Sequence, residues 1–342
     1  MKALILPHIV NLDDNPQPLQ PADLPEPTLR NNEILIKISA CGVCHTELDE
    51  IEGRTPPPLL PVVPGHQIVG RVVNVGTFVT RFHGGERVGV AWIYSACGQC
   101  AYCQSGRENL CTQFRATGRD VNGGYAEHIA VSEDFAHRLP AVFSDEEAAP
   151  LLCAGAVGFR SLMLTGLHDG QTLGLTGFGA SGHLVLQMAQ RRLPKSQIFV
   201  FARSEAEREF ARELGAAWAG PAEAEAPMKL DAIIDTTPVW TPVVEALKNL
   251  APGGRLVINA IRKENVDQDA LTRLDYERDL WLEKEIKSVA NVTRHDVSEF
   301  LLLAAEIPIK PQVQTYELAE ANRALVELKQ RHVRGAKVLH IE

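Results

Sequence analysis

The run Gly177-Phe178-Gly179-Ala180-Ser181-Gly182 restricts the fold more than any other stretch of the chain, because of what stands on either side of it. A short β-type segment, TLGLT (172–176), leads in, and an amphipathic segment, HLVLQMAQRR, leads out and stops near Pro194. A second β-type segment, QIFVFA, follows. Alone, G-x-G-x-x-G is a weak signal; between a strand and a helix of a β-α-β unit it is a strong dinucleotide fingerprint. The glycines permit the tight turn, the approach of backbone to a pyrophosphate and close helix packing, while the helix N-terminus faces the phosphate charge. We therefore expect Gly177, Gly179, Ala180, Ser181 and Gly182 to bind a dinucleotide. The alternation continues with a helix over 205–214 ending at Gly215, a strand at 231–237, a helix through VVEALKNL and a strand at 255–261. A strand near 286–292 closes the sheet and a helix follows at VSEFLLLAAE, so the prediction is an α/β domain with a doubly wound parallel sheet. The charged run 275–287 alternates in sign and reads as a solvated face.

About twenty residues past the last glycine, where an NAD site places Asp or Glu against the ribose 2′-hydroxyl, the chain has Ala202, then Arg203 and Ser204. A guanidinium pairs with phosphate by charge and paired hydrogen bonds. The pattern predicts NADP(H) preference, with Arg203 and Ser204 on the 2′-phosphate; the alternative is a solvated Arg203 and use of NAD(H).

The first part of the chain has a different texture. Short β-type runs, EILIKI (33–38) and IVGRVVNVG (68–76), alternate with turns rich in Pro and Gly, which predicts an irregular, mostly β domain. PPPLLPVVP (56–64) is too proline-dense for helix or central strand and should run extended to His66. Residues 123–140 look like a hairpin in which His128 and His137 pack on a strand face. Ser144-Asp-Glu-Glu147 is a capping box that opens a helix through AAPLLCAGAVGF, with Cys153 inside it.

Thiols and imidazoles cluster in this part. Cys41-Gly-Val-Cys44-His45-Thr46-Glu47 packs two thiols, an imidazole, a hydroxyl and a carboxylate into one short stretch, and His66 follows in Pro-Gly-His-Gln. Thiolate and imidazole are ligands zinc prefers, but the stretch alone does not say which cysteine takes part. Cys97, Cys100, Cys103 and Cys111 are spaced to close a tetrahedral site with no open position, so we expect a structural zinc. The last gap is seven residues and Thr112 follows, unlike the three-residue gap and Pro of a ferredoxin cluster. Cys153 alone reads as a small buried hydrophobe.

Composition sets the outer limits. At 342 residues the chain exceeds the usual single core, so two domains are expected. A net charge of -9 and a pI near 5.7 argue against nucleic acid or anionic membrane as the partner. The segment MKALILPHIV is broken by Pro7 and His8 and reads as a first strand, and no apolar stretch approaches a membrane span. A cytoplasmic protein is the expectation, and seven cysteines at C-x-x-C spacings there point to metal or catalysis rather than disulfides.

In this order, CGVCHTE, Gly-His, the four-cysteine run, AAPLLCAG and GFGASG resemble the zinc-dependent medium-chain alcohol dehydrogenases, almost end to end. The resemblance implies a GroES-like β-rich catalytic domain plus a Rossmann domain. The expected boundaries are 1–144 for the first, 145–294 for the second, and 295–342 for a segment returning to the first. It implies a catalytic zinc on Cys44, His66 and Cys153, a structural zinc on Cys97, Cys100, Cys103 and Cys111, and no metal role for Cys41. Thr46 would take the alcohol proton and pass it toward the cofactor ribose and His45, Glu47 would orient His66, and Trp92 would line the substrate pocket. The implied reaction moves a hydride between an alcohol or aldehyde and a nicotinamide cofactor, in a homodimer or homotetramer. Cys as third ligand leans toward alcohols and aldehydes rather than polyols.

Three positions depart from the family pattern. Gln67 stands where Glu is usual after Gly-His, Val157 where Thr is usual, and Ala336 where an Arg often follows Gly335, for which Arg334 or Lys337 could substitute in contacting phosphate. Two other functions fit the same features: a polyol or other secondary-alcohol dehydrogenase, and a non-enzymatic NADPH-binding protein with the four-cysteine loop as an interaction module. The latter has no reason to keep the full Cys44/His66/Cys153 set.

Overall fold

Glu33–Val43 is an eleven-residue strand rich in isoleucine, and one sheet is assembled on it. Ile34, Ile36 and Ile38 point to the same face and none is more than 1% exposed, so each contributes roughly 1.5–3 kcal/mol by burial. The computed structural model describes residues 1–307, 309–330 and 335–341, in two units. The first unit comprises Met1–Cys153, Val292–Ala305 and the described residues of Lys310–Glu342; the second comprises Ala154–Asn291 and the described residues of Glu306–Ile309. Residues 145–153 thus belong to the first unit, whereas the boundary expected from sequence ran at 144.

In the first unit Ile68–Val75 pairs antiparallel along one edge of the long strand. The other edge is shared: His128–Ser132 takes Glu33–Lys37 and Ala336–His340 takes Ala40–Val43. Val313–Glu317 lies parallel to Ala336–His340, so the tail of the chain completes this sheet with two strands around the helix Ala321–Lys329, where sequence suggested only helix then strand. The expected 123–140 hairpin does not form. His128–Ser132 pairs with Glu33–Lys37, but Ala136–Arg138 pairs with Arg87–Val90. A one-turn 3-10 helix at Glu133–Phe135, started by the Ser132 hydroxyl accepting from Asp134 N, turns the chain away.

The second unit holds a six-stranded parallel sheet in the order Trp218–Gly220, Gln197–Phe201, Thr172–Thr176, Leu230–Asp235, Leu250–Ile258, Glu285–Ser288. Numbered along the unit this is 3-2-1-4-5-6, the doubly wound order, with its switch point between Thr172–Thr176 and Leu230–Asp235. Gln197–Phe201, Thr172–Thr176 and Leu230–Asp235 are mostly buried runs, as helices on both faces require, whereas all four residues of the edge strand Glu285–Ser288 are exposed. In the charged run 275–287, Asp279 is fully buried and held by Arg278, while Tyr276, Trp281 and Leu282 are exposed. The helical run Asp145–Thr165 is long and apolar enough to cross a bilayer, contrary to the expectation from sequence, but 72% of that window is buried within the protein.

Candidate active site

Cys44 ends the long strand and starts the helix His45–Ile51, because it serves as the helix cap. Its Sγ accepts from Thr46 N at 3.3 Å, and Glu47 Oε2 accepts from Cys44 N at 2.9 Å. The two-way cap that Ser or Thr usually makes with Glu is thus made by a thiol. The other oxygen of Glu47, Oε1, lies 2.6 Å from His66 Nδ1, with both side chains almost completely buried. One carboxylate therefore fixes a helix start and an imidazole together, and it leaves His66 Nε2 facing Cys44 Sγ at 3.8 Å.

Gly65 makes the approach of His66 possible. Its φ is +97°, and a Cβ there would lie 2.5 Å from Tyr125 Cδ1 and 2.9 Å from Cys41 Sγ. Cys153 arrives by a break in regular structure that sequence did not anticipate. The capping box of Ser144 and Glu147 forms, but Asp145–Ala148 gives way to a 3-10 turn, Ala149–Leu152, containing Pro150. Cys153 itself has φ -127° and ψ -80°, outside helical geometry, before the helix Ala154–Thr165 begins. An uninterrupted helix was expected here; proline removes an amide donor and the turn tightens instead.

The donor atoms of Cys44, His66 and Cys153 all lie within 4.8 Å of one another. Two sulfurs and a nitrogen bound to one tetrahedral zinc would be separated by roughly 3.6–3.8 Å, so the cluster fits that ion with little movement. The electrostatics point the same way. The hydrogen bond with Cys153, burial and the nearby Glu47 push the Cys44 thiol well up. Burial drags the His66 imidazole down, yet the Glu47 carboxylate and Cys44 outweigh it and hold it well above its ordinary value. Burial and Glu47 also raise the Glu50 carboxyl, which is 2% exposed. Acid-forming groups crowded in a water-poor space are what a divalent cation would neutralise.

Cys97, Cys100, Cys103 and Cys111 form a second cluster. Sγ of Cys103 lies 3.8 Å from that of Cys97 and 3.6 Å from that of Cys100, against S–S edges of about 3.8 Å in a tetrahedral zinc site. Backbone amides point at the sulfurs: Cys100 N to Cys97 Sγ at 3.4 Å, and Gln113 N to Cys111 Sγ at 3.3 Å. The amides of Gln99 and Cys100 draw the Cys97 thiol down to about 6, whereas burial and neighbouring thiols push Cys103 up to about 12. Such a split is expected where several thiols share too little positive charge.

The remaining expected residues fall as follows. Thr46 is buried beside Cys44 and His45 is exposed on the same helix turn. Trp92 stacks on Phe114 with ring centroids 4.9 Å apart and carries the Arg119 guanidinium 5.6 Å above its ring. Gln67 lies over Gly42, where a Cβ would meet its Oε1 at 2.5 Å; only glycine leaves room for it. Cys41 is fully buried, and burial with the Glu47 charge raises its thiol. Lys337 does not face solvent: its ammonium is buried on Gln314, Tyr316 and Glu327, so it is no substitute for a phosphate-binding Arg. Arg334 lies outside the described residues.

In the second unit Gly177 has φ +80°, and a Cβ on it would lie 2.8 Å from Thr236 Oγ1. Gly179 caps the helix Ala180–Arg192, which begins with Ala180 and Ser181, and a Cβ on Gly182 would sit 2.6 Å from Gly177 O. Ala202, the first residue after the strand Gln197–Phe201, offers no carboxylate, and Arg203 is exposed. The Ser204 hydroxyl is committed locally: it caps the helix Glu205–Glu213, accepting from Glu207 N at 3.2 Å and donating to Glu207 Oε2 at 2.9 Å. Sequence reasoning passed over Glu207, Glu50 and the pair Asp235 and Lys263. Only Glu207 had a signal, the S-x-x-E spacing, which was visible at Ser204.

The comparisons agree with this geometry. The family model described as "Alcohol dehydrogenase GroES-like domain" matches residues 30–141. A Mycobacterium tuberculosis protein, "Probable alcohol dehydrogenase AdhA", is 42% identical over 329 residues, 95% of this chain and 93% of its own length. An "Alcohol dehydrogenase" of Geobacillus stearothermophilus is 32% identical, over 95% of this chain and 97% of its own. Among solved structures a cinnamyl alcohol dehydrogenase from Sorghum bicolor superposes with a TM-score of 0.82 at 26% identity, covering 99% of this chain and 97% of its own. By its β-rich unit, its 3-2-1-4-5-6 sheet and 42% identity over 95% of its length to a relative of that kind, the chain belongs to the medium-chain alcohol dehydrogenase family.

Proposed function

We propose that this protein is a zinc-dependent alcohol dehydrogenase or aldehyde reductase that uses a nicotinamide cofactor, with NADP(H) preferred. The observation that carries the reading is the convergence of Cys44, His66 and Cys153, with Glu47 bonded to the far nitrogen of the imidazole. Three donors leave a tetrahedral ion one position short, which is how catalytic zinc sites differ from closed ones such as the four-cysteine cluster. Zinc bound there would supply Lewis acidity to a substrate oxygen, and the nicotinamide would supply the hydride chemistry. The chain's own groups do the rest. Glu47 fixes the tautomer and orientation of His66. Thr46, next to the thiol ligand, takes the hydroxyl proton of the alcohol, and His45 on the exposed side of that turn passes it on to water. Trp92 offers an apolar wall to the substrate. Gly177 to Gly182 hold the pyrophosphate.

NADP(H) preference rests on the missing carboxylate at Ala202 and the exposed Arg203 beside it. The names of the relatives support alcohols and aldehydes as the substrate class. A homodimer or homotetramer is part of the proposal, supported by the exposed edge strand Glu285–Ser288. A panel of primary, secondary and polyhydric alcohols and their carbonyl products, assayed with both cofactors, tests the reading. Turnover of alcohols or aldehydes is expected, faster with NADP(H). Absence of alcohol-dependent cofactor reduction with either cofactor would refute it. Replacing Ala202 by Asp together with Arg203 by Ile should reverse the cofactor ratio, and an unchanged ratio would remove Arg203 from the account.

A further inference from the structure

An open α/β sheet binds its ligand outside the carboxyl ends of its strands, at the switch point in strand order. In the second unit those ends are Thr176 and Asp235, and a cluster with no counterpart in the sequence reading joins them. Asp235 is fully buried. Its Oδ1 accepts from the Thr176 hydroxyl at 2.6 Å and the Thr237 hydroxyl at 2.8 Å, and its Oδ2 accepts from the Lys263 ammonium. Lys263, whose side chain is 7% exposed, donates further to Thr237 O at 2.7 Å and Val239 O at 3.0 Å. Its three donors thus all have acceptors, which is the condition for burying an ammonium at tolerable cost.

The segment after Lys263 holds the same turn. Glu264 N donates to Pro238 O at 2.6 Å, and the carboxylate of Asp267 accepts from Trp240 N at 2.9 Å and Thr241 N at 2.7 Å. Residues 236–241 are therefore strapped down by residues 263–267. The strapped turn lies under the glycine loop: the Thr236 hydroxyl donates to Thr176 O at 2.9 Å, and a Cβ on Gly177 would meet Thr236 Oγ1 at 2.8 Å and Thr237 Cγ2 at 3.0 Å.

We infer that Lys263, pinned to Asp235, is a positioning residue for the dinucleotide, holding the 236–240 turn against Gly177 so that the glycine loop keeps its binding shape. The inference rests on the proposed nicotinamide site and goes beyond it by naming what preorganises that site. Because the clasp acts beneath the loop and not at the ribose 2′ position, its loss should weaken NAD(H) and NADP(H) alike.

The test is dinucleotide binding to the zinc-loaded protein, followed by quenching of protein fluorescence, with wild type, Lys263→Met, Lys263→Arg and Asp235→Asn. Lys263→Met should raise the Kd of both cofactors about tenfold, the scale of losing one charge-assisted hydrogen bond that holds a binding element in place. Its KM for alcohol at saturating cofactor and its zinc content should stay at wild-type values, and Lys263→Arg should recover most of the affinity. Should Lys263→Met fail to fold, Asp235→Asn carries the test: the asparagine oxygen still accepts from both threonines, while its amide group, a donor, replaces the oxygen that accepted from Lys263 and so releases the ammonium; it should weaken both cofactors by an equal factor. Unchanged Kd in either folded variant overturns the inference. So does a loss confined to one cofactor, or a matching rise in the KM for alcohol. A wild-type protein that binds neither dinucleotide would instead bring down the proposed function, and this inference with it.

Discussion

Glu47 does two jobs with one buried carboxylate, so its replacement should register in the metal rather than only in the fold. Glu47→Gln keeps the size of the side chain and one acceptor oxygen, but that oxygen serves either Cys44 N or His66 Nδ1 and not both, and the new amide hydrogens face a ring nitrogen that itself donates. At least one charge-assisted hydrogen bond is lost, and such bonds contribute roughly 1.5–3 kcal/mol. At about 1.4 kcal/mol per factor of ten, zinc held by Cys44, His66 and Cys153 should bind roughly ten- to a hundredfold more weakly. The assay is competition against a chromophoric chelator on protein loaded with two zinc ions, where the four-cysteine site serves as internal control because Glu47 touches none of its thiols. Two release phases are expected, with only the phase assigned by Cys153→Ala moved by Glu47→Gln. If that phase stays where it was, the claim that Glu47 orients His66 is wrong. If both phases move, the substitution has disturbed the whole unit and the reasoning from one hydrogen bond fails.

Other perturbations follow from single contacts. Glu207→Gln removes a carboxylate charge from the N-terminus of helix Glu205–Glu213, where a 2′-phosphate would have to approach, while keeping the cap on Ser204; kcat/KM for NADP(H) relative to NAD(H) should rise several-fold, about 1 kcal/mol of relieved like-charge repulsion near a helix terminus, and an unmoved ratio would place the 2′-phosphate elsewhere. His137 is held neutral by burial, helped by Arg81 and Arg294, with its imidazole drawn down to about 3. The unfolded chain therefore binds a proton that the folded protein refuses between about pH 6.5 and 3, so stability is intact above the unfolded value and falls as pH drops below it, by roughly 2 kcal/mol at pH 5. Denaturant titrations of His137→Gln should show a flatter pH profile over that window, and an equally steep one would contradict the assignment. Ile286, 45% exposed in the middle of the edge strand Glu285–Ser288, should matter to assembly: Ile286→Lys is expected to lower the oligomeric state seen in light scattering, and an unchanged mass would move the interface off this edge.

What sequence made legible follows a physical division. The glycine run was readable because three glycines between a strand and a helix have a backbone reason to be there, and Gly177 at φ +80° and Gly182 against Gly177 O show that reason. The four cysteines were readable because short loops leave few geometries open. The third member of the other cluster was reachable only through the family resemblance. Cys153 had no local signal, and the helix expected around it is broken by Pro150 and a 3-10 turn, a tertiary outcome that propensity does not encode. The misplaced hairpin at 123–140 has the same origin, since the partners of both strands lie far away in the chain. Lys337 does not fill the phosphate-contacting role the sequence offered it, because nothing near it in sequence announces Glu327 and Tyr316, which bury it. Asp235 and Lys263 stayed invisible for a similar reason: a buried ion pair across two loop ends leaves no periodic trace in either.

The metal content of the purified protein, measured together with alcohol oxidation in wild type and Cys153→Ala, tests the catalytic zinc site most directly. Two zinc ions per chain are predicted for wild type, one for Cys153→Ala, with the fold kept and the activity gone. Wild-type protein without zinc, or a folded Cys153→Ala that still oxidises alcohols, would contradict it.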